Sequence, residues 1–186
     1  MKKILILLTV LISTEAFAQQ TINGVTLPAN LKVEKTELKY NGGGIRKKAF
    51  FKVYVAGLYA SEKTKDAAKL LIGNQELAVR LQITSSVVSS SNMSESIREG
   101  FEKSTKGNTA PLKAKIDAFI NTFSKEEIKE GDVFILYYSP EDGVKAYKNG
   151  KFQSTTAGVD FKNALFGIWL GSAPIDADLK AGLLGN

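Results

Sequence analysis

The chain contains no cysteine and no histidine. A cysteine nucleophile, a Ser-His-Asp triad, a histidine general base and a His/Cys zinc site are therefore all excluded. Without cysteine there is no disulfide and no lipid anchor through a thiol, so the fold rests on its core and its hydrogen bonds. Proline is scarce, with 4 residues, and no Pro- or Gly-rich linker or internal repeat interrupts the chain. The chain is mildly basic, with a net charge of +6, but the lysines are scattered and no long run of like charge occurs. A basic stripe with interleaved aromatics is missing, which argues against a nucleic-acid partner. The acidic pairs Glu141/Asp142 and Asp176/Asp178 lack the spaced oxygens of a calcium loop, and they read as turn and helix-cap residues. No metal and no cofactor is expected.

What is present begins with a leader. Lys2 and Lys3 precede an apolar run from Ile4 to Ile12, and Ala16 and Ala18 stand where a signal peptidase reads small residues. The run is too short to cross a bilayer as a retained helix. The order of these features predicts a secretory signal peptide over residues 1–18. It further predicts an exported protein, periplasmic or secreted, with no transmembrane segment in the mature chain. Residues 19–186 suit one domain with a real core, since 44% of the chain is hydrophobic. A monomer is expected.

Periodicity places strands at Thr21–Leu27 and Leu31–Tyr40, a glycine turn at Asn41–Gly44, and a long strand over 45–59. Thr64 is expected to cap a short helix, and Leu77–Thr84 alternates as a strand. Asn92 with Glu95 reads as a capping box opening a helix with Met93, Ile97 and Phe101 on one face. Pro111 opens the next helix, whose apolar stripe includes Ile116, Phe119, Ile120 and Phe123, and Ser124 with Glu127 could cap a further turn. Strands follow at Asp132–Ser139, Val144–Lys148 and Lys151–Thr156, the last two joined by Asn149-Gly150, a strong hairpin signal. Asp160 is expected to cap an apolar helix ending at Gly171, and Asp176 to open a last one with Leu179 and Leu183 inward. The sum is an α+β layout, a largely antiparallel sheet with helices on one face.

Two stretches carry the candidate chemistry. In the first, a glycine turn feeds Arg46 into the long strand. On a single strand Phe50, Lys52, Tyr54, Ala56 and Leu58 share one face, and Val53, Val55 and Gly57 share the other, which reads as the core side. Arg46 has the parity of Tyr54. A guanidinium and a phenol on one face can hold a carboxylate together. The second stretch, LFGIWLGSAPIDADLKAGLL, is an apolar helix followed by a turn and a short helix.

At these stretches the sequence resembles the chalcone-isomerase-like family. The glycines, Arg46 and KVYVAGLY look like that family's first long strand, and the second stretch is similar to its C-terminal helix. The resemblance implies an open-faced β-sandwich whose large antiparallel sheet is covered by helices, with the ligand between them. The family spans plant enzymes that cyclise chalcones, non-catalytic fatty-acid-binding members and exported bacterial members. Carried over by position, the family's arginine matches Arg46, and the tyrosine of the fatty-acid-binding members matches Tyr54. The enzymes' catalytic tyrosine falls near Met93, their helix asparagine near Gly100, and a C-terminal polar pocket residue near Ile168. Only the arginine is kept, while Met93, Ile97 and Ile168 supply apolar lining. The resemblance therefore implies non-catalytic binding of a small apolar carboxylate, a fatty-acid-like or aromatic acid. The alternative is an intramolecular lyase related to chalcone isomerase, using Arg46 and Tyr54. An interaction module with a plugged pocket is a third possibility.

Overall fold

The structure is a computed structural model that describes residues 19–186; the expected leader lies outside the described residues. The first strands are β1 (Gln20–Ile22), β2 (Val25–Leu27), β3 (Asn30–Val33), β4 (Thr36–Lys48) and β5 (Phe51–Ala60). Helix α1 (Ala67–Ile72) leads to β6 (Leu77–Ile83), and α2 (Ser90–Ser104) and α3 (Lys113–Ser124) follow. Then come β7 (Val133–Ser139), β8 (Gly143–Lys148), β9 (Lys151–Thr156), α4 (Val159–Leu170) and α5 (Ala177–Leu183). β1 and β2 form a separate hairpin, and β3 to β9 make a 7-stranded antiparallel sheet in simple chain order.

Strand alternation sorts the side chains into two faces. Along β6, Leu77, Val79, Leu81 and Ile83 join the main core under the helices, while Ala78 packs on the opposite face with Tyr59 and Tyr137. The stripe of α3 (Ile116, Phe119, Ile120, Phe123) is buried on the helical side, as its spacing requires. Helix α4 is buried along nearly its whole length, from Phe161 to Leu170 except Asn163. It runs through the centre of the helical layer. Phe161 meets Phe101 and Phe119 at ring-centroid distances of 5.5 and 5.4 Å. Such a residue, with no exposure, would cost about 3–5 kcal/mol if cut to alanine.

A charged group closes one joint of this layer. The Lys162 ammonium, fully buried, donates to the carbonyls of Leu70 (2.8 Å), Leu71 (2.6 Å) and Gly73 (2.8 Å). It takes up orphan carbonyls at the end of α1 and ties that helix to α4. Burial pulls its pKa down to about 8.

Several local expectations are overturned. Asn41–Gly44 is no turn; it lies inside β4. The glycines are there because both faces are tightly covered. A Cβ on Gly42 would stand 2.3 Å from the Gly182 carbonyl oxygen of α5, and one on Gly43 would stand 2.7 Å from Leu27 of β2. The real turn is at Ala49-Phe50, with Ala49 at φ 52°. The expected strand over 45–59 is thus two strands, and the face assignment reverses: Tyr54, Ala56 and Leu58 point into the helical core, and Val55 packs on the far side with Leu27. Likewise 21–27 is a hairpin turning at Asn23-Gly24, and Leu31–Tyr40 breaks at Glu34.

The caps move as well. Ser89 caps α2 and forms the box with Asn92, which sits at N3 instead of N-cap. Asp66 caps α1 in place of Thr64, whose hydroxyl accepts from the Asp66 N–H. Pro111 lies in a 3-10 turn before α3. Asp160 sits in the first turn of α4, after Gly158 at φ 108°, and Ser124 closes α3 with no helix after it. Asp176 does cap α5 through its Oδ1 and the Leu179 N–H.

Candidate functional site

Between the sheet and α2, α3 and α4 lies a cavity of about 350 Å³. Arg46, Tyr54, Met93, Ile97 and Ile168 all border it. Its wall is otherwise chiefly apolar, with Val53 and Leu136 from the sheet and Phe119, Leu165 and Trp169 from the helices. The charged side chains on the wall are Arg46 and Lys48, and no carboxylate lines it.

Arg46 and Tyr54 meet across two strands, not along one. They are direct partners in the β4–β5 register, so they share the helix-facing side despite the turn between them. Tyr54 is buried, and the Trp169 indole N–H donates to its hydroxyl at 3.0 Å. Among the described residues that is its one hydrogen bond, so its own proton is free to donate into the cavity. Burial pushes the Tyr54 pKa up to about 12, with smaller lowering contributions from Trp169 and Arg46. The hydroxyl therefore stays protonated, a donor and not a base, throughout the neutral range.

Arg46 is held by a residue that sequence reading took only for a cap. Its Nη1 lies 3.4 Å from Asp176 Oδ2, with both side chains largely covered (14% and 13% exposed). Nη1 also donates to the Lys47 carbonyl. The same carboxylate accepts from the backbone N–H groups of Lys47 (3.2 Å) and Leu179 (3.0 Å). Burial raises the Asp176 pKa, but those N–H groups and Arg46 outweigh it, and the net shift is downward. Asp176 stays ionised and fixes where the guanidinium sits. Arg46 stands in the cavity wall with Asp176 behind it, so this is a largely covered ion pair and not one on open surface.

The apolar end is shaped by close helix packing. Met93 and Ile97 come from α2 and Ile168 from α4. The helices can approach because position 100 is glycine: a Cβ there would lie 2.8 Å from Ile168 Cγ2. Trp169 belongs both to the core and to the wall, and its indole N–H orients Tyr54. A second groove, of about 850 Å³, is lined mainly by polar side chains such as Glu34, Glu76, Tyr137 and Asp142. Its polar groups are largely spent on one another: Tyr137 donates to Glu76, and Thr36 donates to Glu76 at 2.8 Å. Among the described residues no group of three acidic side chains could hold a metal ion, and no helix is long and apolar enough to cross a membrane.

This sheet, its helical cover and the cavity between them agree with the comparisons to known proteins. The chalcone isomerase-like family model matches residues 19–185, and the chain belongs to that family. A comparison with curated proteins finds no matching sequence. Among solved structures the chain is similar to the fatty-acid-binding protein of Arabidopsis thaliana, with a TM-score of 0.69 at 17% identity. That match covers 87% of this chain and 92% of the plant protein, and it establishes the shared fold.

Proposed function

We propose that the protein binds a small apolar carboxylic acid in this cavity without transforming it. The observation that carries the reading is the wall itself: chiefly apolar side chains with Arg46 and Lys48 as its cations, their carboxylate partners Asp176 and Glu99 standing outside the lining. A mostly apolar pocket with a few polar groups at one end is the usual form of a small-molecule site. Arg46 would take the ligand carboxylate with the Tyr54 hydroxyl as second donor, and Met93, Ile97 and Ile168 would hold the chain or ring. The volume suits a ligand on the order of a dozen heavy atoms, a medium-chain or aromatic acid. The plant relative's name, a fatty-acid-binding protein, supports the same class of ligand. An isomerase needs a group to move protons, and Tyr54, pushed up to about 12, is a poor base; the positions that bear the enzymes' tyrosine and asparagine by resemblance hold Met93 and Gly100. The leader features of residues 1–18 support export, and the family match begins at residue 19.

The test is native mass spectrometry of the protein purified gently from its source envelope, followed by extraction of bound organics. The expected result is a co-purifying acid. An unchanged mass on addition of acids of several lengths would sink the binding reading.

A further inference from the structure

The β4–β5 hairpin ends in a tip that the fold does not need. Phe50, at the turn, is 101% exposed, and Phe51 beside it is 50% exposed. Val87, from the loop after β6, is 46% exposed and borders the same cavity as Lys48, Ala49 and Phe51. An apolar cluster therefore stands at the cavity rim. Leaving a phenylalanine wholly in water is unfavourable, and exposed apolar groups gathered at one place mark interaction surfaces.

Within the hairpin end itself, residues 47–52, the charges are of one sign. Lys47 and Lys48 precede the tip and Lys52 follows it. Lys48 has a distant partner in Glu99, at 3.9 Å with both side chains half exposed. Lys52 donates to the Asn23 side chain at 2.9 Å, which leaves its charge uncompensated. Among the described residues no carboxylate pairs with the ammonium of Lys47 or Lys52; Asp176 meets only the backbone of Lys47. Two phenyl rings at a tip between lysines match an anionic bilayer surface, where aromatics sit at headgroup depth and each lysine is drawn to negative lipid.

We propose that this tip docks the protein on bilayers bearing anionic lipid, setting the cavity rim against the membrane. The docking does not rest on the acid-binding reading, because it is read from the tip alone. Together the two give a route by which an apolar acid passes between membrane and cavity without crossing water.

The experiment is co-sedimentation of the purified protein, with no acid added, against two kinds of vesicle. One is phosphatidylcholine alone, and the other contains roughly one-third phosphatidylglycerol. The expected result is partition onto the anionic vesicles only, weakened by salt. Phe50→Ser should lower that partition about tenfold, and Lys47→Gln about fivefold. Phe50 does not line the cavity, so acid affinity and circular dichroism of Phe50→Ser should equal the wild type. Equal binding to both vesicles, no binding to either, or partition unmoved by both substitutions would overturn the proposal. None of these results bears on acid binding in solution, so the two readings fail separately.

Discussion

Replacing Asp176 by asparagine should tighten acid binding. The carboxylate lies 3.4 Å from Arg46 Nη1, so a ligand carboxylate seated on the same guanidinium would stand roughly 5 Å from a like charge. At an effective dielectric constant near 20, that repulsion is about 3 kcal/mol, and partial exposure with salt reduces it to about 1–2 kcal/mol. Removing it corresponds to about a tenfold gain in affinity for acids. Asparagine keeps a side-chain oxygen for the Leu179 N–H, now accepting at 3.0 Å, so the cap of α5 is retained. The asparagine NH2 that replaces Oδ2 cannot accept from the Lys47 N–H or Arg46, so the change should cost about 1–3 kcal/mol of stability. The assay is fluorescence titration, because Trp169 is the chain's one tryptophan and sits in the cavity wall. A matched methyl ester should show no gain. If Asp176→Asn weakens acid binding, positioning of the guanidinium outweighs the repulsion and the reasoning fails; if it strengthens ester and acid alike, the guanidinium is not the anion's seat.

Other perturbations separate the packing from the site. Gly42→Ala should destabilise by at least about 2 kcal/mol in urea unfolding, because the new Cβ meets backbone carbonyls of α5; a mild effect would mean position 42 is not clamped. Gly100→Ala should cost about 1–2 kcal/mol, the overpacking against Ile168 exceeding the gain in helix propensity, and weaken binding by pressing Ile168 toward the cavity. Lys162→Met should cost about 2–4 kcal/mol by leaving three carbonyls without their donor. With pH, Tyr54 is raised from 10.0 to about 12, so the folded state holds its proton more tightly than the unfolded chain. That stability is fully present below pH 10 and is lost as pH rises toward 12; alkaline denaturation with and without Tyr54→Phe checks the sign.

The fold class was legible because long elements carry long patterns. The stripe of α3, the strand β7 and the Asn149-Gly150 hairpin each follow from spacing within one element. What misled was local chemistry with two physical uses. Glycine serves a turn through positive φ and a strand through close approach, and only the positions of Leu27 and Gly182 reveal that Gly42 and Gly43 serve the second. Ala49 and Phe50 carry no turn signature, so the hairpin between Arg46 and Tyr54 was invisible. The two still share a face because antiparallel pairing puts direct partners on the same side. Asp176 was visible as a cap, but no sequence spacing shows that its second oxygen reaches Arg46. Phe50, read as part of a strand face, is a hairpin tip in solvent.

The most direct measurement of the central claim is calorimetric titration of one medium-chain acid and its methyl ester, each against wild type and Arg46→Ala. A charged hydrogen bond to the carboxylate is worth about 1.5–3 kcal/mol. The account therefore predicts that Arg46→Ala weakens the acid ten- to hundredfold and leaves the ester as in wild type. Equal loss for both ligands would contradict it and make Arg46 a structural member of the wall.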